Sequence, residues 1–303
     1  MIIPPFLQAG DRVGVVATAK KVNVENTNRG IEILESWGLR VEKGPNLFAT
    51  YGALAGTDAQ RAADLQAMIN DDGIKAIFMV RGGYGSTRII DHIDFAPLES
   101  FPKWICGFSD ITAFHIHLFN LGIACLHGPM PSFFYAITQD SLHWYRDYIF
   151  GARNTLKTHG HPQNKTGTAR AKLVGGNLSI ICHTMGSPSQ IQTNGNILFI
   201  EDIGEQLYHL DRMMVQLKRA GLLQDLAGLI VGQFTDMKDD DPFGKDVTGI
   251  ILDHVDKYDY PICFDFPVGH SAQNYALPIG LMADLHVTEH EVILNLEYNK
   301  SGD

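Results

Sequence analysis

Three segments of this sequence place a reactive side chain directly after an apolar run. The first is Ile105-Cys106-Gly107-Phe108-Ser109-Asp110. A serine at a strand-to-helix turn exposes its hydroxyl at the strand's C-terminal edge. There it lies beside the first N–H groups of the next helix, which can stabilise an oxyanion. The competing reading is an N-cap, a position serine favours for its side-chain acceptor. The second segment is Arg81-Gly82-Gly83-Tyr84-Gly85-Ser86. Three glycines in four positions let a loop approach a ligand and turn its N–H groups inward. It matches neither the dinucleotide fingerprint nor the Walker loop, and a tight turn without a ligand is the alternative. The third is Phe199-Ile200-Glu201-Asp202, set beside Phe266-Pro267-Val268-Gly269-His270-Ser271. Singly, an acid at a strand end is usually solvated and an isolated histidine usually structural. Taken with Ser109 they supply a nucleophile, a base and an acid to orient the base, in chain order Ser, Glu, His. Neighbouring side chains on a strand face opposite ways, so only one of Glu201 and Asp202 can meet the histidine.

Other reactive residues carry less. His115 and His117 are two apart on an expected helix and face different sides, so they cannot chelate one ion. His127 is expected in a loop and His183 in an apolar helix. A metal set of His127, Asp110 and Asp202 has no spacing to support it. The four cysteines, Cys106, Cys125, Cys182 and Cys263, sit singly in apolar surroundings and read as buried thiols. An α/β-hydrolase esterase shares the Ser, Glu, His order but needs G-x-S-x-G, which Gly107-Phe108-Ser109-Asp110-Ile111 lacks.

The elements that must position these residues alternate. Residues 13–17 read as a buried strand, 26–37 as a helix, and 39–41 as a short strand. Residues 57–70 form a helix with Thr57 and Gln60 at capping-box spacing. The runs 76–80 and 105–108 are continuously apolar, as strands covered on both faces are. This is the pattern of an α/β domain with a mainly parallel sheet. Between 151 and 168 the chain turns polar and turn-rich, which places a linker there. A Gly175-Gly176 turn, a helix from Leu178, a strand 197–200, a helix 207–220 and a strand 228–232 follow. The expected division is 1–150, a linker at 151–168, and 169–303.

The chain has 303 residues, 45% hydrophobic and 19% charged, with a formal net charge of -10. That length allows two domains with their own cores. The acidic balance repels a phosphate backbone, and no Lys/Arg run offsets it, so nucleic acid is not an expected partner. No apolar run approaches the roughly 18 residues needed to span a bilayer, and residues 1–15 lack the pattern of a secretory signal. A cytoplasmic protein with reduced cysteines is expected.

At these motifs the sequence resembles the LD-carboxypeptidase family of serine peptidases, which includes the microcin C immunity peptidases. The likeness includes Ala55-Gly56-Thr57-Asp58, Arg61-Ala62-Ala63-Asp64-Leu65, the Arg81–Gly85 turn, Gly107-Phe108-Ser109-Asp110, His127-Gly128-Pro129-Met130 and Gly175-Gly176-Asn177-Leu178. It continues through Glu201-Asp202-Ile203-Gly204-Glu205, Asp211-Arg212-Met213 and Gly269-His270. The resemblance implies a flavodoxin- or Rossmann-like N-terminal domain joined to a smaller C-terminal α/β domain, with the site at their junction. It implies Ser109 as nucleophile, Glu201 as the triad acid, His270 as base, and the N–H groups of Gly83 and Asp110 as oxyanion hole. It also implies a homodimer that releases terminal D-alanine from a murein peptide, with no cofactor and no metal. The terminal carboxylate is expected on N–H groups of the glycine turn or on a nearby arginine, with Arg81, Tyr84, Gly85 and Ser86 as candidate contacts. One departure stands near the N-terminus: Ala17-Thr18-Ala19-Lys20 replaces the Pro-Ser pair of many relatives. Two alternatives are a detoxifying amidase of the microcin C type, for which Tyr135 or Trp144 would stack a base, and a non-catalytic murein-peptide-binding protein.

Overall fold

A computed structural model describes residues 1–297. The chain divides into two compact units. The first comprises Met1–Arg153 with Ala272–Pro278, and the second Asn154–Ser271 with Ile279 onward.

The first unit opens β1 (Arg12–Val16), α1 (Val24–Ser36), β2 (Arg40–Lys43), α2 (Asp58–Asn70), β3 (Ile74–Met79), α3 (Pro97–Ser100), β4 (Trp104–Gly107), α4 (Thr112–Asn120), β5 (Cys125–His127) and α5 (Gln139–Ile149). α2 starts where its sequence says it should. The Thr57 side chain accepts from the Gln60 N–H at 3.2 Å, and Gln60 returns the bond to the Thr57 N–H at 2.9 Å. β1, β3 and β4 are almost wholly buried, which is why they read as continuous apolar runs. Parallel ladders join β2 to β1, β1 to β3, β3 to β4 and β4 to β5.

The second unit runs β6 (Thr155–His159), β7 (Gly167–Asn177), α6 (Leu178–His183), β8 (Ile197–Ile203), α7 (Leu207–Arg219), β9 (Gly228–Thr235), α8 (Val247–Val255) and β10 (Ile262–Cys263). The chain then returns to the first unit for β11 (Leu277–Ile279) before closing with β12 (Met282–Val287) and β13 (Glu291–Leu296). The first sheet is ordered β11-β5-β4-β3-β1-β2 and the second β10-β9-β8-β7-β12-β13-β6. β7 to β10 pair in parallel, whereas β7, β12, β13 and β6 pair antiparallel.

In the first sheet, the chain leaves β1 toward β2 on one side and β3 on the other. The ends of β1 and β3 therefore bracket a topological switch point, where open α/β sheets bind their ligands. The loop after β1 holds Ala17 to Lys20, and the loop after β3 is the glycine turn.

Three local expectations are corrected. The supposed linker contains β6 and the start of β7; β6 is an edge strand with only Leu156 buried, so its polar residues resemble a loop. Gly175 and Gly176 are no turn but part of β7, at φ 144° and 140°. A Cβ on Gly175 would stand 1.9 Å from the Phe199 carbonyl oxygen, so close approach demands the glycine. His127 is not in a loop but ends β5, fully buried.

Candidate active site

The nucleophile candidate is placed by a buried strand and a sharp turn. After β4, Phe108 is extended (φ -154°, ψ -172°) and Ser109 sits at φ +63°. A non-glycine residue held left-handed stores backbone strain, of order 1–3 kcal/mol, and such residues concentrate at functional sites. A single 3-10 turn, Ser109–Ile111, then feeds α4. The N-cap reading of Ser109 does not fit. Phe108 caps the 3-10 turn and Ile111 caps α4, neither with a side-chain bond.

The glycine turn lies against this serine. A Cβ on Gly82 would stand 3.2 Å from the Ser109 Cβ and 3.3 Å from the Asp110 nitrogen. Gly83 and Gly85 adopt φ of 103° and 134°, which favours glycine at both. Two polar ties fix the turn. The Ser86 N–H donates to the Asp110 carboxylate at 2.8 Å. Arg61, buried on α2, donates from one guanidinium nitrogen to the carbonyls of Gly85 (2.8 Å) and Thr18, and from another to Asp58. Arg61 thereby clamps the loops after β1 and β3 together. Burial pushes the Asp110 carboxyl above its ordinary value, with the Ser86 bonds opposing the shift. Among the described residues, the N–H groups of Gly83 and Asp110 meet no protein acceptor. Arg81 donates to the Lys21 carbonyl at 2.7 Å, Tyr84 is exposed, and Ser86 is buried. The N–H of Ser86 is thus engaged by Asp110.

The second unit builds the histidine pair. β8 is buried through Asp202, and Glu201 lies inside the protein at 0% exposure. His270 Nδ1 and Glu201 Oε2 are 2.7 Å apart. Gly269, at φ 125°, allows the approach: a Cβ there would press 2.9 Å from both Glu201 Cβ and Oε2. With Nδ1 as the donor to a carboxylate, the neutral ring carries its lone pair on Nε2, the tautomer a general base needs. Burial alone would lower the His270 pKa. The charge of Glu201, its hydrogen bond and the charge of Asp202 outweigh it, and the ring's pKa is raised. Asp202 faces away from the histidine. It accepts from Asn177 Nδ2 (2.9 Å), from the Ser179 N–H (2.9 Å) and hydroxyl (2.8 Å), and from the Ile203 N–H (2.9 Å). Burial, then the neighbouring Glu201, pushes its carboxyl up.

The remaining candidates fall to structural roles. Asp110 and Asp202, considered as metal ligands, have their carboxylates occupied by protein donors. His115 is fully buried and pushed down to about 3 by desolvation. The His127 ring packs edge-on to Phe108, with centroids 5.8 Å apart. All four cysteines are free and buried. Trp144 cannot stack a base: it is buried, and its indole N–H donates to the Ala276 carbonyl at 2.9 Å. Tyr135 is exposed. Sequence reasoning missed Arg61 as the clamp of the two loops. The signal was an arginine four and seven residues before Leu65 and Met68, on the buried face of α2 that it shares with Asp64.

Comparison with known proteins identifies the family. Residues 13–128 match the LD-carboxypeptidase N-terminal domain and residues 170–285 the LD-carboxypeptidase C-terminal domain. A probable murein peptide carboxypeptidase of Bacillus subtilis is 36% identical, over 96% of this chain and 93% of its own length. The murein tetrapeptide carboxypeptidase of Pseudomonas aeruginosa is 30% identical, over 90% and 92%. The crystal structure of muramoyltetrapeptide carboxypeptidase from Oxalobacter formigenes shares the fold with a TM-score of 0.85 at 26% identity, covering 95% of this chain and 99% of that one. With both of the family's domains matched in order and full-length relatives above 30% identity, the chain belongs to the LD-carboxypeptidase family of serine peptidases.

Proposed function

We propose that this serine carboxypeptidase hydrolyses the L,D bond that releases terminal D-alanine from murein tetrapeptides. The observation that carries the reading is the buried Glu201–His270 pair at 2.7 Å, in a chain whose Ser109 is held left-handed beside a glycine turn. Ser109 gives its hydroxyl proton to His270 Nε2 as its oxygen attacks the scissile carbonyl. The tetrahedral oxyanion is received by the N–H groups of Gly83 and Asp110. Collapse breaks the C–N bond, and His270 returns the proton to the departing D-alanine nitrogen. Water, activated by the same histidine, then hydrolyses the acyl-enzyme and restores Ser109. Glu201 holds the ring in the required tautomer and stabilises the imidazolium.

The cytoplasm is the proposed compartment, supported by four free, buried cysteines. No helix among the described residues is long and apolar enough to cross a membrane. A homodimer is proposed from the family resemblance, and sedimentation tests it. The decisive experiment incubates the protein with murein tetrapeptides carrying lysine or diaminopimelate before the D-alanine, and with an aminoacyl sulfamoyl adenylate. Release of D-alanine with an intact adenylate supports the reading. Cleavage of the adenylate alone replaces it with the detoxifying amidase.

A further inference from the structure

The fold carries Lys20 to the glycine turn. It lies midway along the loop after β1, beside the loop after β3 across the switch point. Its N–H donates to the Gly82 carbonyl at 3.4 Å. Its side chain then crosses Gly83: a Cβ on that glycine would meet Lys20 Cδ at 2.8 Å, Cγ at 3.2 Å and Cε at 3.3 Å. The lysine stem therefore packs against Gly83, whose N–H is one of the two proposed for the oxyanion. The side chain is partly exposed, and among the described residues its ammonium forms no ion pair.

Other cations stand around this turn, among them the exposed Lys21. Arg61 and Arg88 share Asp58, and Arg81 donates to the Lys21 carbonyl. Asp110 points its carboxylate at the Ser86 N–H and is shielded from solvent. A chain of net charge -10 thus keeps a local positive excess at this loop, and Lys20 is the member whose stem packs on Gly83.

We propose that Lys20 binds the free α-carboxylate of the substrate's terminal residue and so restricts the enzyme to chain ends. This rests on the carboxypeptidase reading above. In such a substrate, three bonds separate the scissile carbonyl carbon from the carboxylate carbon, so the two lie no more than about 4 Å apart. A carbonyl oxygen received at Gly83 brings the carboxylate into the neighbourhood of a lysine whose stem covers that residue. A flexible ammonium suits this task, because it acts as a point charge that follows the carboxylate through the reaction.

The test separates charge from packing. Lys20→Met keeps a long apolar stem over Gly83 and removes the charge; Lys20→Arg keeps the charge. Each is placed in a Ser109→Ala background, and binding is measured by calorimetry for a murein tetrapeptide and for the same peptide as its C-terminal amide. We expect the parent to prefer the acid, and Lys20→Met to reduce the acid-to-amide affinity ratio by roughly 10- to 100-fold, as loss of a charge-assisted bond would. Lys20→Arg should restore part of the ratio. A ratio unchanged in Lys20→Met overturns the proposal. So does an equal loss for acid and amide, which would make Lys20 a support for the turn. D-Alanine release by the otherwise unaltered enzyme is followed separately. If it fails while the ratio still collapses, the hydrolytic reading falls and the carboxylate site stands. If neither peptide binds, both fall.

Discussion

Replacing Glu201 by glutamine removes one charge from a buried pair and leaves its shape. Glu201 Oε2 meets His270 Nδ1 at 2.7 Å, whereas Oε1 is buried with no partner among the described residues. Nothing therefore pins a glutamine amide in one orientation. If its oxygen faces Nδ1, the ring keeps its tautomer but loses the stabilisation of the imidazolium. If its NH2 faces Nδ1, the proton moves to Nε2 and the base is blocked. In a serine-protease triad, the acid-to-amide change that fixes the wrong tautomer costs about 10⁴ in kcat. A free amide should cost less, and we expect a fall of about 10²- to 10³-fold in D-alanine release, with a smaller change in KM. The same substitution has a readout that needs no substrate. Burial lowers the His270 pKa and only the carboxylates raise it, so Glu201→Gln should bring it down, followed by NMR titration of the ring. The sign for stability follows. A histidine raised in the folded state stabilises below its unfolded value and loses that contribution as pH rises through its folded value. The wild type should therefore exceed the variant in stability most on the acid side of 6.5, with this part of the gap closing as pH rises through the raised folded pKa. Wild-type turnover together with an unmoved His270 titration would refute the reasoning.

Ser109→Gly should abolish turnover yet stabilise the protein by about 1 kcal/mol, because φ +63° is strained for serine and free for glycine; thermal melts check it. Arg61→Ala leaves the Thr18 and Gly85 carbonyls without their donor, and should destabilise by about 2–5 kcal/mol and lower kcat, read by denaturant titration and kinetics. Asp202→Asn should weaken the start of α6 by about 1–2 kcal/mol while turnover stays near wild type, since its carboxylate serves Ser179 and Asn177; a loss matching that of Glu201→Gln would refute this. Gly83→Pro removes one proposed oxyanion donor and should cost about 10²–10³ in turnover if circular dichroism shows the fold intact.

Much of the first unit was legible because its signals are short-ranged. The Thr57–Gln60 box is written in four residues, and β3 and β4 are apolar throughout because both faces are covered. The pairing of Glu201 rather than Asp202 with His270 follows from strand alternation once one of the two is assigned inward. What stayed hidden depends on distant partners. Arg61 lies 43 residues from Thr18, whose carbonyl it holds, so no local pattern announces the contact. β6 is an edge strand and lacks the double burial that marks β3. The glycine at 175 answers to Phe199 on the neighbouring strand, and sequence alone made it a turn.

The return of Ala272–Pro278 to the first unit has a consequence for synthesis. β5 borders β11 in the first sheet, and β11 is not translated until the second unit's first 118 residues, Asn154–Ser271, have been made. At ribosomal speeds of roughly 5–20 residues per second, the nascent first unit waits on the order of ten seconds with the backbone of β5 as an open edge. Trp144 waits with it, since the carbonyl that receives its indole N–H belongs to Ala276. During that interval the half-made protein can pair with another chain. A ribosome-bound fragment ending near Arg153 should therefore recruit chaperones or aggregate, whereas a transplant joining Arg153 through a short linker to Ala272 would let the first unit close its sheet without the second.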